Sequence, residues 1–400
     1  EKSEETIKNS GKLLEHPKVS EYIKRFTRDI PAIMYFKPSL KLDFLIEKNG
    51  YRPIGNKSNL NEQFENKIEF FQFLGKHLQR YCIAGETGIL SNFNFTTLTK
   101  KYGTPFVIQF GHGWAGKTTF FIHHEDEFAD LVKEFSQTKV KVSQKIEGYT
   151  VLNNCCIYGD AVLVSQPAIQ VNNVKELSSQ EGVTCGRQWP VQFLSKIEID
   201  QIKNISQTMG ILMRKTGFAG FFGLDFLIEE KSRRIYISEV NARLTASSAF
   251  FTRRQLGEGM IPLEAYHMGS FLQIPLPILK EEAHIVGSQI IFRDPLRVLD
   301  SLFSQNCGVF KVIDNQPQFL KSEYVPEKLT DKEILFMKRY RRGKEALRDA
   351  PSGASRRSSG QEDGDEISRI ETKQKVLDKP GELALWLKDL FRESTQERRS

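Results

Sequence analysis

The chain is 400 residues long, which at about 150 residues per domain predicts two or three domains. Hydrophobic residues make up 39% and charged residues 27% of it, a balance that excludes an intrinsically disordered chain and a coiled-coil rod. No run of about 18 apolar residues occurs, so no membrane-spanning helix is predicted. The charged first residues lack the apolar segment of a signal peptide, and we expect none in this chain.

Cysteine usage and charge narrow the class of protein further. The five cysteines are odd in number and none is spaced as Cys-x-x-Cys, which disfavours both a zinc site and a disulfide framework. A reducing, cytoplasmic location is therefore expected. Residues 338–357 contribute +6 of the formal net charge of +7. A short basic segment ahead of a Ser/Gly-rich loop is typical of solvated chain, so nucleic-acid binding is disfavoured.

The first predicted elements are short. Residues 30–36 predict a buried strand, and residues 42–51 predict a helix that ends near Gly50, because glycine is a typical helix stop. Residues 65–81 carry apolar side chains three or four positions apart, which is the spacing of an amphipathic helix.

From about residue 100 the chain becomes rich in strands. β-Branched and aromatic residues predict strands over 104–110 and 117–123, and helical spacing predicts a helix over 125–135. The remaining predicted elements are successive strands over 139–171, a helix over 195–217, a hairpin over 223–244, a helix after Pro262, short strands from about 285, a loop over 350–366 and a closing helix over 382–391. Together these elements predict an α+β fold.

A glycine-rich loop follows the strand at 104–110. Its sequence GHGWAGKT (111–118) matches the P-loop pattern, in which Lys117 would pair with phosphate and Thr118 would hold Mg²⁺. A P-loop needs a helix beginning at the lysine, whereas residues 117–123 predict a strand. The alternative is a hairpin loop that closes over the triphosphate as a lid and relies on a metal site elsewhere in the chain.

The hairpin at 223–244 provides such a site. If its turn is centred on Ser232, Asp225 pairs directly opposite Glu239, with Cβ atoms roughly 5 Å apart. Asn241 and Arg243 follow Glu239 on the same face by the period of two. Such oxygen ligands suit Mg²⁺ ions that also hold substrate phosphates. The alternative, an exposed hairpin with ordinary charges, leaves the apolar residues around Asp225 unexplained.

At these residues the chain resembles the ATP-grasp superfamily. The segment GFAGFFGLDFLIEEKSRRIYISEVNARLTASSA (217–249) is similar to the metal-binding hairpin of the carbamoyl-phosphate synthetase large subunit and of biotin carboxylase. The resemblance covers about 60–275 and implies an ATP-grasp fold. The domains it implies are an N-terminal α/β pre-ATP-grasp domain (1–62), an ATP-grasp domain (63–280) with a glycine-loop lid at about 95–172, and a small β-rich C-terminal module (281–400) with a mobile loop over 345–366.

The resemblance also implies roles for individual residues. The metal ligands would be Asp225, Glu239 and Asn241, holding two Mg²⁺ ions, for which Mn²⁺ is a substitute. The catalytic groups would be Arg243, which stabilises an acyl phosphate, and Lys117. The ATP-binding residues would be Lys67 and Gln109, the loop glycines Gly111, Gly113 and Gly116, and the hinge residues Gln144, Lys145, Ile146 and Glu147.

One position departs from the family pattern. The strand before the glycine loop usually carries a lysine that reaches the nucleotide, and here Gln109 stands in its place. Glutamine brings no charge, so either Lys117 or another cation compensates, or the affinity for ATP is lower. A surface role for Lys67 also stays open.

Substrate contacts are harder to predict. Arg187 and Arg253 are candidates for holding a substrate carboxylate, and a structural role fits each of them equally well. Cys185 is expected to be structural, because no base lies near it in sequence.

The function implied is that of an ATP- and Mg²⁺-dependent carboxylate–amine ligase, which forms an acyl phosphate and then an amide-type bond and releases ADP and phosphate. Its partners would be small-molecule carboxylates and amines, such as amino acids or peptides, and not a membrane; a homodimer is left open. The alternatives are a P-loop kinase or NTPase that uses Lys117, a bicarbonate-using carboxylase, and a non-catalytic nucleotide sensor.

Overall fold

The structure is a computed structural model, and it describes residues 10–26, 29–112, 118–178, 182–278, 284–293, 302–324, 329–338 and 366–396. The chain divides into two compact units: residues 1–167 with 195–283, and residues 168–194 with 284–400. None of the described helices combines the length and the apolar composition needed to cross a bilayer.

Helices are concentrated in the first part of the chain, and runs of consecutive strands occupy residues 139–189 and 287–383. The described helices are α1 (Ser10–Glu15), α2 (Pro17–Phe26), α3 (Leu40–Lys48), α4 (Ser58–Glu65), α5 (Lys67–His77), α6 (Phe95–Tyr102), α7 (Glu125–Phe135), α8 (Lys196–Lys215), α9 (Ser248–Gly257), α10 (Leu263–Leu272) and α11 (Leu385–Gln396). The first strands are β1 (Ala32–Met34), β2 (Arg52–Ile54), β3 (Gly85–Ile89), β4 (Phe106–Phe110), β5 (Thr119–Ile122), β6 (Lys139–Gln144), β7 (Gly148–Tyr158), β8 (Ala161–Val164), β9 (Ala168–Asn172) and β10 (Thr184–Trp189). The others are β11 (Gly220–Glu229), β12 (Ile235–Asn241), β13 (Gly287–Phe292), β14 (Cys307–Ile313), β15 (Gln316–Lys321), β16 (Glu333–Lys338), β17 (Ser368–Thr372), β18 (Leu377–Lys379) and β19 (Glu382–Leu383). This mixture confirms the predicted α+β class.

Three sheets lie in the first unit. The two short strands β1 and β2 pair in parallel. A four-stranded antiparallel sheet has the order β3-β6-β4-β5, and α6 and α7 pack on it through buried Leu98, Phe128 and Leu131. The third sheet has β7 between β11 and β8, and β12 pairs with the outer side of β11. Its strands β7 and β11 are almost wholly buried, as their long apolar runs predict.

Within the second unit, antiparallel strands follow the order β9-β10-β13-β17-β16-β14-β15, and β18 and β19 form a small hairpin. Residues 168–194 therefore belong to this unit, whereas the resemblance placed them in the ATP-grasp domain. The predicted strands from about 285 onward and the closing helix are both present. The predicted loop over 350–366 and most of the basic segment 338–357 lie outside the described residues.

Candidate active site

Lys67 is the first residue of α5 and lies where the helix N-terminus meets the hairpin of β11 and β12. The side chain of Asn66 caps the helix by accepting from the N–H groups of Ile68 and Glu69, at 3.0 and 3.3 Å. The ammonium Nζ of Lys67 lies 2.7 Å from Oε2 of Glu239, and the lysine side chain is only 16% exposed. The negative charge of Glu239 raises the pKa of Lys67, and the positive charge of Lys67 lowers the pKa of Glu239. Both groups are therefore ionised at neutral pH, so Lys67 is not an isolated surface residue.

The hairpin of β11 and β12 pairs Asp225 directly with Glu239, as predicted. The predicted turn centre was wrong, because Ile228 pairs with Ile235 and the turn is centred between Lys231 and Ser232. The register shifts by one residue between Asp225 and Phe226, so β12 carries a β-bulge at this point. The bulge restores the Asp225–Glu239 pair and sets both carboxylates on one face of the sheet.

The carboxylates of Asp225 and Glu239 lie on directly paired residues, and besides Lys67, Asp225 contributes to the lowered pKa of Glu239. Neighbouring carboxylates repel each other when both are ionised, so a cation beside them is favourable. The amide Nδ2 of Asn241 lies 3.4 Å from Oδ2 of Asp225 and donates to it. No cluster of three His, Cys, Asp or Glu occurs in the described ranges. The donor set thus fits Mg²⁺, which takes few protein carboxylates and completes its shell with phosphate and water oxygens.

Arg243 lies just beyond the end of β12 and is held from several sides. Its Nη2 donates to Oδ1 of Asn241 at 2.8 Å, and its Nε lies 2.8 Å from Oε1 of Glu65. The guanidinium also stacks over the ring of Phe36, 4.9 Å from its centroid. An arginine oriented by three partners needs little reorganisation when it meets an anion. Sequence reasoning missed Glu65, because nothing in its local pattern marks it as a partner of a residue 178 positions away.

Gln109 projects from β4, two positions before Gly111 at the start of the glycine loop. It pairs directly opposite Lys141 of β6, and Nζ of Lys141 lies 3.2 Å from Oε1 of Gln109. Burial and the nearby charge of Lys67 lower the pKa of Lys141 to about 8. Sequence reasoning missed Lys141, because β4 and β6 are not consecutive in sequence and no turn between them fixes their register.

The start of the glycine loop is attached to α5. The carbonyl of Gly111 accepts from the N–H of Lys67 at 2.9 Å, and the imidazole of His112 lies 2.7 Å from the carboxylate of Glu62. Gly113, Gly116 and Lys117 lie outside the described residues. Strand β5 begins at Thr119, so the helix that a P-loop requires after its lysine does not follow.

The hinge residues connect β6 to β7. Ile146 is buried in an apolar cluster with Ile83, Tyr236 and Leu227. The carboxylate of Glu147 is 77% exposed and lies 3.2 Å from Nζ of Lys145. Gln144 is exposed, and its N–H donates to the carbonyl of Ala84 at 2.9 Å.

Residues 67–257 match the family model of the ATP-binding domain of the carbamoyl-phosphate synthase L chain. This part of the chain is therefore similar to the ATP-binding domain of an ATP-grasp enzyme. None of the curated proteins compared with it matches its sequence.

Solved structures of ATP-grasp enzymes share the fold. The biotin carboxylase domain of the 2-oxoglutarate carboxylase of Hydrogenobacter thermophilus is 14% identical, with a TM-score of 0.59 over 90% of this chain and 74% of that chain. Biotin carboxylase of Campylobacter jejuni is 13% identical, with a TM-score of 0.58 over 89% and 73%. N5-carboxyaminoimidazole synthetase of Staphylococcus aureus is 10% identical, with a TM-score of 0.55 over 95% and 82%. At these identities the likeness concerns the fold.

The two predicted substrate arginines lie in different units. Arg187 is on β10 in the second unit, buried, and its Nη1 donates to Oε1 of Gln289 at 2.9 Å. Arg253 is on α9 in the first unit and is half-buried. Cys185 is fully buried, and burial raises the pKa of its thiol to about 11, as a structural cysteine requires.

Proposed function

We propose that this protein is an ATP- and Mg²⁺-dependent ligase that joins a small-molecule carboxylate to an amine. The observation that carries the proposal is the convergence of two carboxylates, an amide and two cations at the bulged hairpin of β11 and β12. Lys67 and Glu239 lie 2.7 Å apart there, and Asn241 contacts both Asp225 and Arg243. These are the groups that phosphoryl transfer needs, since its catalysis depends on positioning and charge neutralisation.

The reaction would proceed in two steps. A substrate carboxylate oxygen attacks the γ-phosphorus of ATP, the bond to the β-phosphate oxygen breaks, and ADP leaves. The amine then attacks the acyl carbon, phosphate leaves, and the amine gives up a proton as the amide forms. Two Mg²⁺ ions held by Asp225, Glu239 and Asn241 would neutralise phosphate charge. Arg243 would orient the acyl phosphate, and Lys67 would contact phosphate.

The nucleotide base would bind at the hinge. The cluster of Ile83, Ile146, Leu227 and Tyr236 supplies an apolar surface, and the backbone of residues 145–146 supplies the polar groups for adenine. Glu147 is exposed and would accept from the ribose hydroxyls. The glycine loop would then exclude water, so that the acyl phosphate reacts with the amine and is not hydrolysed.

A carboxylase that uses bicarbonate is the second candidate. The observation in its favour is that the fold is shared with biotin carboxylase and N5-carboxyaminoimidazole synthetase. Bicarbonate attacks the γ-phosphate as any carboxylate does, so the same charged groups would serve both reactions. The two candidates differ in the acid that is activated and in the acceptor to which it is joined.

Nucleotide product analysis tests the proposal. The protein is incubated with Mg·ATP and pools of carboxylates and amines, with bicarbonate in a separate arm. Glu239→Ala is the test variant, and Glu230→Ala, which removes an exposed carboxylate from the same hairpin, is the matched control. ADP and phosphate should form only with a carboxylate pool and an amine, and only in the wild type and the control.

Other product patterns contradict the ligase. AMP and pyrophosphate would exclude an acyl phosphate. Release of ADP that depends on bicarbonate and needs no amine would favour the carboxylase. Tight binding of ATP without turnover in any pool would favour a nucleotide sensor.

A further inference from the structure

Lys141 is a buried cation whose charge the described structure does not balance. Its side chain lies in the sheet of β6 and β4 and is 7% exposed. Its contacts are the neutral amide oxygen of Gln109, at 3.2 Å, and the ring of Phe71, whose centroid is 5.4 Å from Nζ. Among the described residues no carboxylate lies within ion-pair distance of it. Buried lysines are normally paired, because an ammonium loses its hydration on burial.

The surroundings of Lys141 favour the binding of an anion beside it. A small cavity is lined by both Lys67 and Lys141, together with Phe71, Cys82 and Ser238. Lys67 repels Lys141, and Glu239, which attracts it, is already occupied by the ion pair with Lys67. The carboxylates that act on Lys67 are Glu239, Asp225 and Glu65, and none of the described carboxylates forms an ion pair with Lys141. A phosphate group beside Lys141 would supply that partner.

Lys141 also lies where it could replace the lysine that the family pattern has at position 109, which is Gln109 in this chain. The two residues are direct partners across β4 and β6, so their side chains leave the same face of the sheet about 5 Å apart. Gln109 precedes the glycine loop by two positions on β4. A lysine on β6 can thus present its ammonium, at the end of a four-carbon stem, to the same space that a lysine at 109 would reach.

We propose that Lys141 is a nucleotide-binding residue that contacts the phosphates of ATP, with the cation carried on β6 instead of β4. This inference rests on the proposed use of ATP. Lys141 donates a charge-assisted hydrogen bond to phosphate, and Gln109 orients the ammonium through its amide oxygen. Lys67 on α5 and Lys141 on β6 of the four-stranded sheet then hold the polyphosphate from two sides.

Binding of Mg·ADP and of adenosine, measured by titration calorimetry, tests this assignment without turnover. Lys141→Met removes the cation and keeps the bulk of the side chain. Lys139→Met is the matched control, since Lys139 is on the same strand and face but exposed. We expect Lys141→Met to weaken Mg·ADP binding by about 10- to 100-fold, the worth of a hydrogen bond to a charged group, and to leave adenosine binding unchanged.

Exchanging the lysine and the glutamine between positions 141 and 109 separates the loss of a phosphate contact from a general disruption of the pocket. The double variant Gln109→Lys, Lys141→Gln returns the cation to β4, and we expect it to recover most of the lost Mg·ADP affinity. The melting temperature of Lys141→Met without ligand should be equal to or above that of the wild type, because an unpaired buried charge is removed. This also checks that the variant folds.

Each contrary outcome overturns a distinct statement. Wild-type affinity for Mg·ADP in Lys141→Met would refute the phosphate contact and leave the proposed ATP use intact. An equal loss for adenosine and Mg·ADP, or no recovery in the exchanged variant, would show that Lys141 only shapes the pocket. A wild-type protein that binds adenosine and Mg·ADP equally well, or binds neither, would refute the proposed function and this inference together.

Discussion

Lys67 and Glu239 lie 172 positions apart in sequence, and their side chains form an ion pair of 2.7 Å. The lysine comes from the first residue of α5 and the glutamate from β12. The pair holds the helix N-terminus against the strand that carries the proposed metal ligands. Because Glu239 is the proposed metal ligand and Lys67 the proposed phosphate ligand, the contact aligns two parts of one site before any substrate binds.

Replacing Lys67 with methionine should lower the kcat/KM of ATP turnover by about 100- to 1000-fold, the usual cost of losing a charged group that stabilises a transition state. Lys76→Met, in the last turn of the same helix and exposed, should leave turnover within about twofold. Steady-state release of ADP measures both. Similar rates for wild type and Lys67→Met would remove Lys67 from the site.

Comparing ATP turnover in variants of Lys117 and Glu239 distinguishes an ATP-grasp site from a P-loop. If the bulged hairpin is the catalytic centre, Glu239→Ala should abolish ATP turnover, while Lys117→Ala should retain a measurable part of it. The reason is that a lid lysine assists phosphate binding, whereas the hairpin residues hold the metal and the reacting phosphate. Parallel single-turnover assays on the two variants would decide. The reverse order of severity would support the P-loop kinase.

Gly148 is predicted to be intolerant of any side chain. It opens β7 opposite Glu229 of β11, and a Cβ there would collide with the backbone carbonyl of Ile228. Gly148→Ala should therefore cost about 1–3 kcal/mol, since a backbone atom cannot move aside cheaply. Gly75→Ala is the control, because a Cβ at this position in α5 meets open space, and the change should stabilise the helix by about 1 kcal/mol. Urea unfolding of the two variants measures the difference, and equal stabilities would contradict the collision.

His267 should make the protein acid-sensitive. It is 4% exposed on α10, its Nδ1 accepts from the N–H of Phe221 at 3.0 Å, and burial lowers its pKa to about 4. Between pH 6.5 and 4 the unfolded chain binds a proton that the folded chain does not, so stability is lost as the pH falls. The contribution is about 3 kcal/mol at most.

Denaturation of wild type and His267→Asn at pH 7 and pH 4.5 tests this dependence. The asparagine Oδ1 can still accept from the backbone of Phe221 but does not titrate, so the variant should lose less stability than the wild type on acidification. An identical loss in both proteins would assign the acid sensitivity to other groups.

Much of the fold follows from local patterns in the sequence. The helix after Asn66 was predictable from its apolar spacing, and β4, β5 and the hairpin of β11 and β12 from their composition. The Asp225–Glu239 pair was predicted too, but through a turn centre that is half a residue away from the observed one. Without the bulge in β12, Asp225 would face Ser238, and the side chain of Glu239 would point to the other side of the sheet.

The sequence by itself determined the elements, the glycine loop and the carboxylates of the hairpin, because helix and strand periodicity and the types of metal-binding residues are local properties. Only the tertiary structure decided which distant charges meet. The bulge that aligns Asp225 with Glu239, the contact of Glu65 with Arg243 and the pairing of Gln109 with Lys141 all depend on strand register and helix packing. Register is set by how whole strands bury their apolar faces, so no short stretch of sequence contains it.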